Sequence, residues 1–369
     1  MSPDLVLLDE QNMMKAVYYE LCGIPVISIE TKPDPCKFEN TPPFTSFYVP
    51  SNTLISKWIC KWLWFKKIAL NRYRLKKLQI NSLWTDHYSI TCKVARKGGI
   101  DLNKRKDLER AFAIGIKGIP RLIVSPAAFD FPHQEKEATY RIGPLIDINR
   151  EGEISNPRYT ALREKIAEIK ENGNGFIIYC SLGTITEQFK KRVKLFFTNL
   201  LRVARQNPDD LFILSTGKEF DISEIFPVPD NMYVYQHLPQ IDLLHNCDIM
   251  ITHGGMNSIT ECVYCEVPVL VYPLSHEWDQ PGNAARVVYH KIGIMGKINR
   301  DSSRKISQKL NQLKSGYTFY QKNILEMKNR FEENNNSEEA LRIIEKVMNK
   351  SAENTQVEYA MNIQMLECQ

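Results

Sequence analysis

The chain reads as an α/β protein built on parallel sheets wrapped by helices, and three observations carry that reading. In the second half, apolar runs at residues 176–181, 211–215, 232–235, 248–252 and 267–272 alternate with segments of helical period. Such alternation is the pattern of a parallel sheet with helices on its faces. At the start, short apolar runs at 4–8 and 25–29 bracket a helical stretch, 12–22, closed by Gly23, which makes a strand, helix, strand unit. Two glycines, Gly254 and Gly255, follow the fourth of the later strands, as expected where a strand feeds a helix beside a bound anion.

In chain order, residues 31–53 are rich in proline and aperiodic, so they read as a long loop. Residues 54–78 form a basic, aromatic helical segment containing Trp58, Trp62, Trp64 and Phe65. Lys57, Lys61, Lys66 and Lys67 interrupt it too often for a membrane span. Three readings stay open for this segment: a helix covering the core, part of a binding pocket, or an interfacial helix resting on a membrane. Residues 102–113 read as a helix and 121–124 as a strand, and Gly143 with Pro144 marks a domain boundary. The expected domains are therefore 1–143 and 144–349, the second with terminal helices at 303–313 and 317–348, followed by a polar tail at 350–369.

Composition fits an ordinary globular protein without identifying it: 369 residues, 43% hydrophobic and 25% charged, with a formal net charge of +5. Nothing has the pattern of a nucleic-acid module, so that class is set aside. Nine cysteines, an odd number scattered from Cys22 to Cys368, do not suggest a disulfide framework and suit a reducing cytoplasm. Cys262 and Cys265 have CxxC spacing without a second pair or a histidine cluster, so they read as packing residues and no metal is expected. Residues 1–8 lack the basic flank and long apolar core of a signal peptide. A cytoplasmic protein is expected, with peripheral membrane contact through 54–78 left open.

The richest stretch is Thr252, His253, Gly254, Gly255, Met256, Asn257 and Ser258, followed by Glu261. Glycines let backbone approach a phosphate, and the first helical turn offers N–H donors where the macrodipole favours negative charge. Asn257 and Glu261 are four apart and share a helix face. A carboxylate one turn beyond the phosphates suits the hydroxyls of a sugar, to which it can only be an acceptor. The plainer alternative is that the glycines merely turn the chain and Glu261 is solvated. That alternative must also account for Leu238, Pro239 and Gln240 upstream and for Asp279, Gln280 and Asn283 downstream.

Residues 235–296 together resemble the donor-binding signature of the UDP-dependent glycosyltransferases of family 1. The resemblance extends to Ser181, Leu182, Gly183 and Thr184, similar to the family's first phosphate-side loop in this domain, and to 140–144, similar to the approach to its interdomain linker. It implies a GT-B fold, two Rossmann-like domains facing a cleft, with the N-terminal one incomplete. It also implies transfer of a hexosyl group from a UDP-sugar to an acceptor hydroxyl, with inversion and without a metal. The UDP-sugar is a co-substrate and no cofactor is expected; the acceptor could be apolar or lipid-like.

Carried over position by position, the resemblance puts His253 on the diphosphate, with Ser181, Gly183, Thr184, Gly255, Met256, Asn257 and Ser258 around the phosphates. Glu261 takes the ribose, Asp279 and Gln280 read the transferred sugar, and Gln240 lies beside the base. Where many members have a stacking tryptophan, this chain has His237, with Tyr235 nearby. The family's base is a histidine in a loop after the first strand, oriented by an aspartate. A neutral imidazole suits removal of an alcohol proton near pH 7. Asp9 matches the aspartate, but no counterpart of the histidine precedes it, and neither His87, His133, His245, His276 nor His290 has a convincing setting. A non-catalytic or truncated nucleotide-sugar-binding protein is therefore the alternative expectation.

Overall fold

The computed structural model describes residues 3–150, 157–173, 175–183, 187–333 and 338–349. They divide into two compact units, one of Met1–Pro43, Pro50–Leu145 and the described part of Asn334–Gln369, the other of Phe44–Val49 and Ile146–Glu333.

The first unit contains β1 (Val6–Asp9), α1 (Ala16–Leu21), β2 (Val26–Glu30), α2 (Leu54–Asn81), α3 (His87–Lys97), α4 (Leu102–Arg105), β3 (Lys106–Asp107), β4 (Gly115–Ile116), β5 (Arg121–Ile123) and β6 (Thr139–Arg141). Its main sheet runs β1-β2-β5-β6, parallel throughout. Successive strand residues point to opposite faces, and β2 shows the result. Val26 packs with Leu8, Met13 and Val17, while Ile27 packs with Leu122, Ile142 and Ile343. Both faces are covered, as parallel sheets require.

Beyond Ile29 the pattern turns ionic. Glu30 is fully buried and accepts from Arg110 Nη2 at 2.9 Å and from Arg121 Nε and Nη2 at 2.7 and 2.6 Å. This explains one departure from the sequence reading. Residues 102–113 do not continue as a helix, because α4 ends at Arg105 and β3 pairs antiparallel with β4. The hairpin delivers the Arg110 guanidinium to Glu30, a long-range ion pair that helical periodicity cannot register.

Other departures have local causes. Asp86 caps α3 by accepting from the Ser89 amide, giving a helix that had not been expected. The helix expected at 12–22 begins instead as a 3-10 turn, Glu10–Lys15, before α1. The terminal helix expected at 317–348 is interrupted: one helix ends at Glu333, and the helical residues 338–349 place Ile343 in the first unit's core.

The second unit contains α5 (Pro157–Asn172), β7 (Ile177–Ser181), α6 (Lys190–Gln206), β8 (Leu211–Ser215), β9 (Met232–Tyr235), α7 (Gln240–Leu244), β10 (Ile249–Thr252), α8 (Met256–Tyr264), β11 (Val269–Val271), α9 (Gln280–Tyr289), β12 (Gly293–Met295), α10 (Ser303–Ser315) and α11 (Tyr317–Glu333). α6 shows how its helices form, with Val193, Phe196, Phe197, Leu200 and Ala204 on one face, all buried against the sheet core. Residues 44–49 belong here, with the Phe44 carbonyl packed against Gly282 where a Cβ would find no room. α5 and β12 had not been expected. The six strands are parallel, in the order β12-β11-β10-β7-β8-β9. That is a doubly wound sheet whose order reverses between β7 and β10, the place where such sheets bind ligands.

One consequence concerns Glu10, which is fully buried between Lys32 Nζ, 2.9 Å away, and Arg110. Burial pushes its carboxyl up to about 7, against the pull of Lys32 and with the help of the Glu30 charge. An acid whose folded pKa is raised contributes stability at low pH that is lost as pH rises from its unfolded value, 4.5, through about 7. Urea titrations of wild type and Glu10→Gln between these limits are expected to diverge by roughly 3 kcal/mol, wild type losing ground as pH rises. Parallel curves would show that Glu10 does not titrate in this window.

Candidate functional site

At the reversal, Thr252 at the end of β10 is in register with Ser181 at the end of β7. Each strand then enters a glycine turn at the same level. Gly183 has φ +83° and Gly254 φ +89°, both in the left-handed region. At Gly254 space is also short, since a Cβ would sit 2.7 Å from Val271 Cγ1. Gly255 then caps α8 without a side chain to accept from the first-turn amides. Those N–H groups begin the helix with Met256 buried, Asn257 exposed and Ser258 between.

His253 fills the space that two glycines leave. A Cβ on Gly183 would lie 2.6 Å from its Cε1, and one on Gly255 2.9 Å away. Its Nδ1 is buried and has no hydrogen-bond partner among the described residues. Burial lowers the imidazole pKa to about 4, so the ring is neutral near pH 7. A neutral ring with an unmatched nitrogen beside a helix start can donate to an anion while adding no buried charge.

One turn further along α8, Glu261 is 2% exposed and carries two partners. Arg150 Nη2 donates to its Oε1 at 2.6 Å, and Gln240 Nε2 donates to its Oε2 and also lies 3.2 Å from Ser258 Oγ. Gln240 opens α7, so α7 and α8 bring Gln240, Ser258 and Glu261 into one cluster. Arg150 had escaped the sequence reading. It lies in a polar stretch 111 residues from its partner, where no local pattern marks it.

Asp279 and Gln280 open α9, both buried. Asn283 Nδ2 bridges the Asp279 carboxylate, at 2.7 Å, and the Gly254 carbonyl, at 2.9 Å, which ties α9 to the glycine turn. Gln280 Oε1 accepts from the Leu274 and Ser275 amides at 2.8 and 3.0 Å, so that side-chain oxygen holds its own loop. His237 is exposed just after β9. Tyr235 ends that strand with its hydroxyl donating to the Arg158 carbonyl at 2.8 Å and its ring 5.4 Å from the Arg158 guanidinium. Thr184 lies outside the described residues.

Asp9 belongs to the first unit, where its carboxylate accepts from the Gln11 amide at 2.8 Å and caps the turn Glu10–Lys15. His87 begins α3, and His133 stacks on Phe38 at 3.9 Å with Glu135 3.5 Å from its Nε2. Cys262 packs its sulfur 3.1 Å from that of Met250. Among the described residues, no group of three or more His, Cys, Asp or Glu side chains is placed to hold a metal ion, and no helix is long and apolar enough to cross a membrane.

Residues 209–346 match the family model described as erythromycin biosynthesis protein CIII-like, C-terminal domain. An uncharacterised UDP-glucosyltransferase of Bacillus subtilis is 32% identical over 111 residues, 30% of this chain and 26% of that protein. The zeaxanthin glucosyltransferase of Pantoea ananas is 26% identical over 292 residues, 79% of this chain and 59% of that protein. The matched stretches thus span less than two thirds of either relative. Among solved structures, the glycosyltransferase of kitacinnamycin superposes with a TM-score of 0.62 at 20% identity, covering 94% of this chain and 76% of that one, a likeness that establishes the GT-B fold. Over the greater part of its second unit the chain is thus similar to UDP-dependent glycosyltransferases, and its fold is GT-B.

Proposed function

We propose that the second unit binds a UDP-sugar at the reversal of its sheet, and that the chain acts in transferring the hexosyl group to an acceptor hydroxyl. The observation that carries this reading is the neutral His253 ring seated against Gly183 and Gly255 where α8 begins. Leaving-group charge develops on the diphosphate during transfer. The α8 amides and an imidazole N–H are preorganised donors for that charge, the arrangement that lowers such barriers most. Because these donors meet the charge directly, the leaving group can be stabilised without a metal. Glu261 accepts from the ribose, and Asp279 with Gln280 meets the sugar from the start of α9. Attack by the acceptor opposite the departing diphosphate inverts the anomeric centre. An apolar or lipid-like alcohol is the acceptor we favour. A second reading, donor binding without transfer, is favoured by one observation: the Asp9 carboxylate, the candidate orienter of a base, is engaged in capping its own turn.

For ribose to reach Glu261, the Arg150 guanidinium must give way, and at 53% side-chain exposure it can do so into solvent. Calorimetry with UDP tests this. Glu261→Ala is expected to weaken binding by roughly 1.5 to 3 kcal/mol, the worth of a hydrogen bond to a charged group. Arg150→Ala is expected to tighten it several-fold, about 1 kcal/mol, by removing a competitor. Unchanged affinity in both variants would take Glu261 out of the site.

Gly183→Ala brings a methyl into the imidazole and is expected to cost about tenfold in UDP affinity, or about 1.4 kcal/mol. Retained affinity would separate His253 from the diphosphate. Because the ring titrates near 4 rather than its ordinary 6.5, affinity for UDP-glucose, whose diphosphate does not titrate here, should be flat from about pH 6 to 8. A step near 6.5 would mean that His253 binds as a cation. Transfer itself is read by mass spectrometry of an alcohol acceptor and by the anomeric configuration of the product.

A further inference from the structure

α2 has two apolar faces, and among the described residues its own unit packs on one of them. The inner face is secured at Cys60, whose Sγ donates to the Asn40 carbonyl, at Trp64, whose Nε1 donates to the Thr41 carbonyl at 2.8 Å, and at Asn71, which donates to the Arg110 carbonyl. Roughly opposite, Leu54, Trp58, Trp62 and Phe65 follow helical spacing and are 81%, 76%, 54% and 72% exposed. Together with Ile55 and Ile59, the first three of these residues line an open apolar groove. A monomer rarely exposes indole and phenyl rings in one contiguous stripe without a partner.

Charge identifies the partner. The helix carries eight lysines and arginines and no acidic residue. Lys61 and Lys66 flank the stripe on its two sides, with Lys66 Nζ 5.3 Å from the centre of the Trp62 ring. We propose that α2 is a docking surface for an anionic lipid membrane, lying along the interface with Trp58, Trp62 and Phe65 among the upper acyl chains and the lysines among the headgroups. Apolar rings on one side with basic residues along their borders are the composition of an interfacial helix, and indoles favour that depth. A second copy of the chain is a poorer occupant, since self-association through this face would oppose two helices of eight positive charges each. The helix is too interrupted by charge to cross a membrane, so it lies on the surface. This surface belongs to the first unit.

Cosedimentation of the full chain with vesicles tests the proposal. Binding is expected to vesicles of mixed phosphatidylcholine and phosphatidylserine, with blue-shifted tryptophan fluorescence, and to be about tenfold weaker with phosphatidylcholine alone. Trp58→Ser combined with Trp62→Ser should abolish it, and Lys61→Glu combined with Lys66→Glu should remove the preference for phosphatidylserine. Both variants change exposed residues, and unaltered circular dichroism with UDP binding as in wild type verifies that they are folded. A folded wild-type chain that does not sediment with mixed vesicles overturns the proposal. So does vesicle binding unaffected by either double variant, or a concentration-dependent dimer, lost in the tryptophan variant, without vesicle binding.

Discussion

The parallel pairing of β10 with β7, which sets Thr252 beside Ser181, is the contact on which the second unit's candidate site depends. It brings two loops from chain segments some seventy residues apart to the same level at the carboxyl edge of the sheet. Gly183 in one loop and Gly255 in the other both lack a Cβ where the His253 imidazole sits. A slip of one residue would turn Thr252 to the other face and carry His253 with it. The arrangement around His253 is a matter of register first and of side-chain identity second.

Around that contact, several side-chain amides tie neighbouring elements together. Asn283 spans α9 and the Gly254 carbonyl, and Gln280 closes the loop from Leu274 to Ser275. These bonds put the start of α9 beside the start of α8. Glu261 is different, since its strongest partner is the exposed guanidinium of Arg150. A buried carboxylate left alone is costly. Arg150 supplies that partner from a half-exposed position.

The first unit is organised by buried charge instead. Glu30 collects three hydrogen bonds from Arg110 and Arg121, and Asp34 adds a contact to Arg121 at 2.6 Å. Desolvating so many ions offsets much of their attraction, so their main effect is on which conformation is adopted. Arg110 reaches Glu30 only if residues 106–116 form a hairpin, and they do. The same unit leaves one face of α2 uncovered, so two demands on one helix, packing and exposure, are met on opposite sides.

What the sequence determined by itself was whatever depends on neighbours along the chain. The alternation of strands and helices from 176 to 272, the glycine turn from Thr252 to Gly255, and the helix from Leu54 all follow from local period and backbone preference, and all are present. The order of elements around His253 was distinctive enough to suggest a resemblance to glycosyltransferases, and residues 209–346 match a glycosyltransferase-type C-terminal domain. Short elements were not legible, β12 and the β3 to β4 hairpin among them, because two or three residues carry no period. Nor were residues whose meaning comes from a distant partner: Arg110, Arg150 and Ile343 belong to patterns only in three dimensions. The two sides of α2 looked alike on paper, with aromatics on both. Only the tertiary structure decided that Trp64 is buried and Trp58 exposed, because burial is set by what lies across from a side chain, and a sequence does not contain that information locally.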